Sequence, residues 1–273
     1  MKVVRKLTRE EVPDGSIIAI LSDVHIPHHD EDALKLVVEC CERIGVTHVF
    51  PNGDIADCGP SSRHEDKKKR AVLDEGCLKE SVAAGLWLYD WFRTRPCYYT
   101  LGNHEAWVVN YIAKSPELKG TSALSLMGLW EDGDGWEVLP PLSRLRLGNR
   151  VWEHGDGFFK SGSGGSNPAN RIRSLAPDQT TSIGHLHRMF AAYWSSEDEN
   201  GQSRNRAAYG NGHLSIPEKH EEYAGSYLNW QQSFEITRVW YDGGKPRFTT
   251  DQPQIHRDKR GRPVLEYQGH VYK

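Results

Sequence analysis

Long apolar runs are missing from this chain. Nowhere do about 18 consecutive apolar residues occur, the least that a membrane-spanning helix needs, and Met1 to Gly15 is charged, without the apolar core of a secretion signal. These absences set the expectation of a cytoplasmic protein with no membrane partner. The five cysteines, Cys40, Cys41, Cys58, Cys77 and Cys97, are odd in number and form no C-x-x-C pair. That argues against a disulfide framework or a thiolate zinc site, and for reduced, small apolar side chains. A dominant charge is missing as well. The formal net charge of −3 gives no global attraction to nucleic acid or anionic membrane, which leaves room only for a local basic groove. There is no internal repeat. The Gly162–Gly165 stretch lacks the Gly-Lys-Ser/Thr ending of a phosphate-binding loop.

What is present suffices for one large core, with 37% of 273 residues hydrophobic. Residues 16–21, 46–50 and 97–101 are short apolar runs that read as buried strands. Asp30 is placed to cap a helix whose apolar residues Leu34, Val37, Cys41 and Ile44 recur at helical spacing. A β-α-β unit therefore opens the chain. A long helix is expected from about Ala71 to Arg93, and helical material through about Met127. Beyond Trp136 the pattern turns to short alternating segments, 144–147, 150–154, 180–184, 189–194, 205–209 and 233–240, expected to form a second, mainly antiparallel sheet. Residues 60–70 read as a polar, basic connection and residues 155–167 as a mobile loop. One catalytic domain over residues 1–245 is expected, then an extended C-terminal arm over 246–273.

Four islands of ligand-type residues each follow a strand-like run: Asp23-Val-His25, Gly53-Asp54, Gly102-Asn103-His104-Glu105 and Gly184-His185-Leu186-His187. His154 lies between the last two. Two Asp, one Asn and four His make a nitrogen-and-oxygen set suited to two divalent cations. Ligands at strand ends converge on one sheet edge, so this is the expected functional centre.

The ordered pattern D-x-H, G-D, G-N-H-E, a lone His and G-H-x-H resembles the calcineurin-like metallophosphoesterase superfamily, including its small phage and bacterial members, over roughly residues 16–194. The resemblance implies an α/β fold, a two-sheet β-sandwich flanked by helices. It implies that Asp23, His25 and His187 hold one metal, that Asn103, His154 and His185 hold the other, and that Asp54 bridges both. Mn²⁺ leads the expected metals, with Fe, Zn, Ni or Mg as alternatives. The implied reaction is hydrolysis of a phosphate ester by a metal-bridging hydroxide attacking phosphorus in line. Asn103 and His104 would face the substrate, His104 as hydrogen-bond donor or general acid to the leaving group, with Asp57 orienting its imidazole. Glu105 would steady loops or ligands.

The chain also departs from that family. Protein phosphatases follow the second Asp with an Arg that grips a terminal phosphate; here Cys58 and Gly59 stand there. The expectation leans accordingly toward phosphodiesters, nucleotide or nucleic-acid linkages. A phosphomonoesterase acting on phosphoproteins or small metabolites is the alternative, and an inactive interaction scaffold of the same fold the third reading. His28 and His29 are read as ordinary surface or packing residues, with substrate contact beside the first site as the alternative, and Lys160, Arg171, Arg173 and Arg188 are candidates for phosphate contacts. Phe158 and Phe159 are expected in the core rather than stacked on a base. The nine tryptophans are read as core and helix packing.

Overall fold

A computed structural model describes residues 3–58, 85–114, 136–160, 167–197, 201–220 and 229–273. The expected 60–70 connection, the helix before residue 85, the helical material beyond Lys114, Cys77 and the Gly-rich centre of the 155–167 loop lie outside these residues. In chain order, β1 (Val4–Lys6) precedes β2 (Ile17–Leu21), α1 (Glu31–Ile44), β3 (His48–Pro51), β4 (Cys97–Thr100) and α2 (Asn103–Lys114). Residues 85–93 are also helical. Next come β5 (Trp136–Leu139), β6 (Arg144–Leu147), β7 (Arg150–Glu153), α3 (Pro168–Leu175), β8 (Thr180–Ile183), β9 (Phe190–Glu197) and β10 (Ser203–Gly210). The chain closes with β11 (Glu235–Asp242), β12 (Lys245–Asp251), β13 (Ile255–Arg257), β14 (Pro263–Tyr267) and β15 (His270–Tyr272).

Two six-stranded mixed sheets pack face to face, one in the order β12-β11-β2-β3-β4-β5, the other β1-β6-β7-β8-β10-β9. Strand β2 has no polar face because both its faces are covered. Ile18 and Ile20 point between the sheets, where they meet Phe50, Tyr98, Leu145, Leu147 and Trp152. Ala19 and Leu21 point the other way, onto α1 and the 85–93 helix. This is period-two alternation with two apolar sides, and each such aliphatic side chain contributes roughly 1.5–3 kcal/mol of burial. Helix α1 starts where Asp30 accepts a hydrogen bond from Ala33 N and stops at Gly45, in the left-handed region at φ 72°.

The second sheet differs from the expectation of a mainly antiparallel one. Three of its pairings are parallel, β1 with β6, β7 with β8 and β8 with β10, against two antiparallel, β6 with β7 and β9 with β10. Helix α3 accounts for one of the three: it carries the chain from the end of β7 back to the start of β8, as a parallel pair requires. The 233–240 segment also belongs elsewhere: β11 pairs antiparallel with β2 in the first sheet. The chain beyond residue 251, expected as an extended arm, forms a three-stranded antiparallel sheet, β13-β14-β15. Its Ile255, Leu265 and Tyr272 join the α1 core. Among the described residues no helix is long and apolar enough to cross a membrane.

Candidate metal centre

Strands β2 and β3 end level, Leu21 opposite Pro51, and β7 and β8 likewise, Glu153 opposite Ile183. The ligand islands leave these strands at one edge of the sandwich. Among the described residues, eight that are not glycine have positive φ: Asp23, His25, Asp54, Cys58, Leu142, His185, His187 and Gln268. Five of the eight are predicted ligands, so the strained backbone is concentrated where the side chains must converge. The motif glycines serve the same convergence. A Cβ at Gly184 would stand 2.5 Å from Asp23 Oδ2, and one at Gly102 would stand 2.5 Å from Asp54 N and nearer still to its carboxylate. Only glycine lets those backbones pass the carboxylates.

The first cluster joins Asp23, His25 and His187. Asp23 is fully buried, its carboxylate accepting from His185 N at 2.9–3.0 Å and lying 3.2 Å from His187 Nε2. The Nε2 atoms of His25 and His187 face each other at 3.1 Å. His25 Nδ1 lies 3.0 Å from Asp57 Oδ1, so a neutral His25 donates there and turns its Nε2 lone pair inward. Burial, then the neighbouring His25, holds the His187 pKa well below its ordinary value, which keeps the ring unprotonated.

The second cluster joins Asp54, His154 and His185, with Asn103 beside it. His154 Nδ1 donates to Asn52 O at 3.0 Å. Its Nε2 then faces Asp54 Oδ2 at 3.0 Å and Asn103 Oδ1 at 3.1 Å. A neutral His154 would aim a lone pair at two oxygens, so this corner requires a positive charge. Without metal, a proton answers the need: burial opposes the His154 imidazolium, but the Asp54 charge raises its pKa well above the ordinary value. His185 Nε2 is buried without a hydrogen-bond partner. Burial and then the charge on His154 lower its pKa to about 4. An orphaned imidazole nitrogen, a lone pair facing oxygens and two buried carboxylates fit divalent cations. Asp54 groups with the second set, its Oδ1 accepting from His104 N at 2.9 Å.

His104 and Asp57 lie against the first cluster. His104 Nδ1 is 2.5 Å from Asp57 O and 3.2 Å from Asp57 Oδ1. Burial opposes its charge, yet Asp54 and Asp57 raise its pKa to about 9. Burial also works against the Asp57 carboxylate, and the hydrogen bonds from His104 and His25 outweigh it, holding that pKa below its usual range. Glu105 is fully buried behind the loops. Its Oε2 accepts from Asp54 N at 3.0 Å and Gly102 N at 2.8 Å. Its Oε1 accepts from Ala56 N at 2.9 Å and the Tyr99 hydroxyl at 2.7 Å.

The flanking candidates separate. His28 is half-buried, with Nε2 3.9 Å from Asp57 Oδ2, whereas His29 is buried. Phe158 and Phe159 are buried with Ile172 and Ile183, which gives them a packing role. Arg171 donates to Phe158 O at 2.6 Å. Arg188 directly follows the last island and is half-buried; Lys160 and Arg173 are exposed. Sequence reasoning passed over three rings at the site. Trp107 lies on the His104 ring, centroids 4.0 Å apart; Trp230 meets His187 at 4.1 Å; and buried His213 stacks behind His187 at 5.5 Å. The i, i+3 spacing of His104 and Trp107 on one helix was the available signal for the first.

A family model described as calcineurin-like phosphoesterase matches residues 17–245. None of the curated proteins matches the chain. Among solved structures, Vps29 of Chaetomium thermophilum is similar at 12% identity, covering 94% of this chain and 97% of that one with a TM-score of 0.43. Vacuolar protein sorting 29 of Cryptosporidium parvum is similar at 11% identity, covering 88% and 98% with a TM-score of 0.41. A Vps29 double mutant of Entamoeba histolytica is similar at 11%, covering 86% and 98% with a TM-score of 0.33. With the family model spanning most of its length and buried His/Asp clusters where the motifs fall, the chain belongs to the calcineurin-like phosphoesterase family.

Proposed function

We propose that the chain is a dinuclear-metal-dependent phosphoesterase acting on phosphodiesters of the nucleotide or nucleic-acid type. Asp23, His25 and His187 would hold one cation, Asn103, His154 and His185 the other, and Asp54 both. The observation that carries the reading is the His154 corner, where one imidazole nitrogen lies within 3.1 Å of two oxygens, one from Asp54 and one from Asn103. Bound cations such as Mn²⁺ supply Lewis acidity and lower the pKa of water to make a nucleophile.

The rest falls to side chains. His104 would carry a proton at Nε2 for the departing oxygen, since its Nδ1 is committed to Asp57. Such a donor is worth about 10²–10⁴ in rate. Glu105 holds the Asp54 and Gly102 backbones in one geometry, so the centre is organised before substrate arrives. Buried Cys58 occupies the place where a dianion clamp would need Arg, which favours the singly charged diester. The test compares bis(p-nitrophenyl) phosphate with p-nitrophenyl phosphate on Mn²⁺-loaded protein. Preference for the diester is expected. Preference for the monoester would make the protein a phosphomonoesterase, and two bound metals with neither ester hydrolysed would make it a scaffold.

A further inference from the structure

Eight of the nine tryptophans lie among the described residues, and five of them, Trp87, Trp91, Trp136, Trp152 and Trp194, belong to the hydrophobic clusters. Trp107 and Trp230 belong to none of these. Each is only half-buried, and each rests on an imidazole of the candidate centre. The rings form one row, Trp107–His104–His25–His187–Trp230, with successive centroids 4.0, 4.6, 5.0 and 4.1 Å apart. The two indoles thus close the row at opposite ends.

A phosphate bound over this row carries its organic groups outward along it. A monoester has one such group and needs one wall. A diester has two, and the row offers one indole to each. The chemistry that matches a flat, π-rich, partly exposed wall next to a phosphate site is a nucleobase, since every base presents a π-face and stacks without demanding a particular hydrogen-bond pattern. Trp230 is also positioned for this by its neighbours. The backbone of Gln231 donates to His187 O at 3.0 Å, and the indole is braced edge-on against His213, centroids 5.4 Å apart.

We propose that Trp107 and Trp230 are the two stacking walls of a nucleobase-binding cleft laid across the metal centre, which makes the substrate a diester bearing nucleosides on both arms. The proposal rests on the phosphoesterase reading above and narrows its substrate. Base–aromatic stacking changes affinity enough to be read kinetically, by about tenfold for each wall.

The experiment measures kcat/KM of the Mn²⁺-loaded protein for thymidine 5′-(p-nitrophenyl phosphate) and for methyl p-nitrophenyl phosphate. These esters share a leaving group and differ only in the nucleoside. In Trp230→Leu, which removes the wall away from the leaving-group donor His104, the ratio of the two values should fall about tenfold, with Trp230→Phe restoring most of it, whereas Trp107→Leu, beside His104 and the shared nitrophenyl group, should slow both esters alike. An unchanged ratio in Trp230→Leu, with both esters slowed alike, would show that this indole merely braces His187 and would overturn the proposal. In parallel, the dinucleotide TpT is titrated into metal-free protein, following tryptophan fluorescence. Quenching that weakens in both Leu variants supports the cleft; no quenching in the parent protein overturns it. If neither ester is hydrolysed, the catalytic reading fails alone, and the fluorescence titration still decides the stacking.

Discussion

Asp57 Oδ1 stands 3.0 Å from His25 Nδ1, so the carboxylate expected to orient a leaving-group imidazole also holds a candidate metal ligand. The same oxygen lies 3.2 Å from His104 Nδ1. In the proposed mechanism, metal retention and proton donation therefore share one anchor.

Asp57→Asn tests that sharing. An amide replaces an acceptor that both rings need, so Mn²⁺ affinity should drop about 10–100-fold along with turnover. Calorimetric titration of metal beside kcat on a diester checks it. Parent-like metal affinity with only slower turnover would confine Asp57 to His104.

Glu105→Ala should destabilise the fold as well as the site. The carboxylate accepts from three backbone N–H groups and one hydroxyl, and each buried donor left without a partner costs about 1–3 kcal/mol. Urea unfolding should show a loss above about 3 kcal/mol. A smaller loss, with metal binding intact, would mean that water replaces the carboxylate and the loops hold themselves.

Between the sheets, Arg150 and Glu235 form a fully buried ion pair, Nη2 to Oε1 2.6 Å, with Glu235 also accepting from Trp152 Nε1 at 3.1 Å and from Ser182. Breaking one side leaves a charge stranded, so Arg150→Ala should cost about 3–5 kcal/mol. The double change Arg150→Met with Glu235→Leu should cost much less, because no charge remains. Equal losses in the two proteins would show that packing, not the stranded carboxylate, sets the penalty.

His48 gives a pH signature away from the metal ligands. It is buried, its Nε2 donating to Glu11 O at 2.8 Å and its Nδ1 accepting from the Thr47 hydroxyl at 2.8 Å, and burial lowers its pKa below 6.5. As pH falls through the unfolded value of about 6.5 the unfolded chain takes up the proton and the folded one does not, so stability declines with acidification. His48→Gln keeps the donor to Glu11 O and removes the titration. Denaturant unfolding between pH 7.5 and 5 should show a shallower decline in the variant; parallel curves would remove His48 from the linkage.

The candidate site was legible because its constraints are local. The His154 ring lies against Gly53, the Asp54 carboxylate against Gly102 and the Asp23 carboxylate against Gly184; these close approaches demand glycine beside Asp54, Asn103 and His185, and that demand writes itself into short motifs. The first β-α-β unit was legible for a similar reason, since Asp30 and Gly45 mark both ends of α1. Pairing partners were not. Whether β11 joins β2 or the opposite sheet depends on surfaces distant in sequence, and its alternation fits either. Helix α3 has only eight residues, too few for a clear 3.6-residue period. Trp230 was invisible as a site residue because nothing in its neighbourhood predicts that it will meet His187.

Arg257 of β13 bonds the carboxylate of Asp30 and, at 2.7 Å, Gln232 Oε1; Asp30 in turn caps the helix that follows the Asp23–His25 loop. The partners are 227 positions apart. During synthesis the earliest ligand loop is therefore left without its outer brace until the third strand from the end of this sequence has emerged. Assembly of the candidate metal edge becomes a late event, and a ribosome-stalled fragment ending before Arg257 should capture metal poorly even though it already contains every predicted ligand.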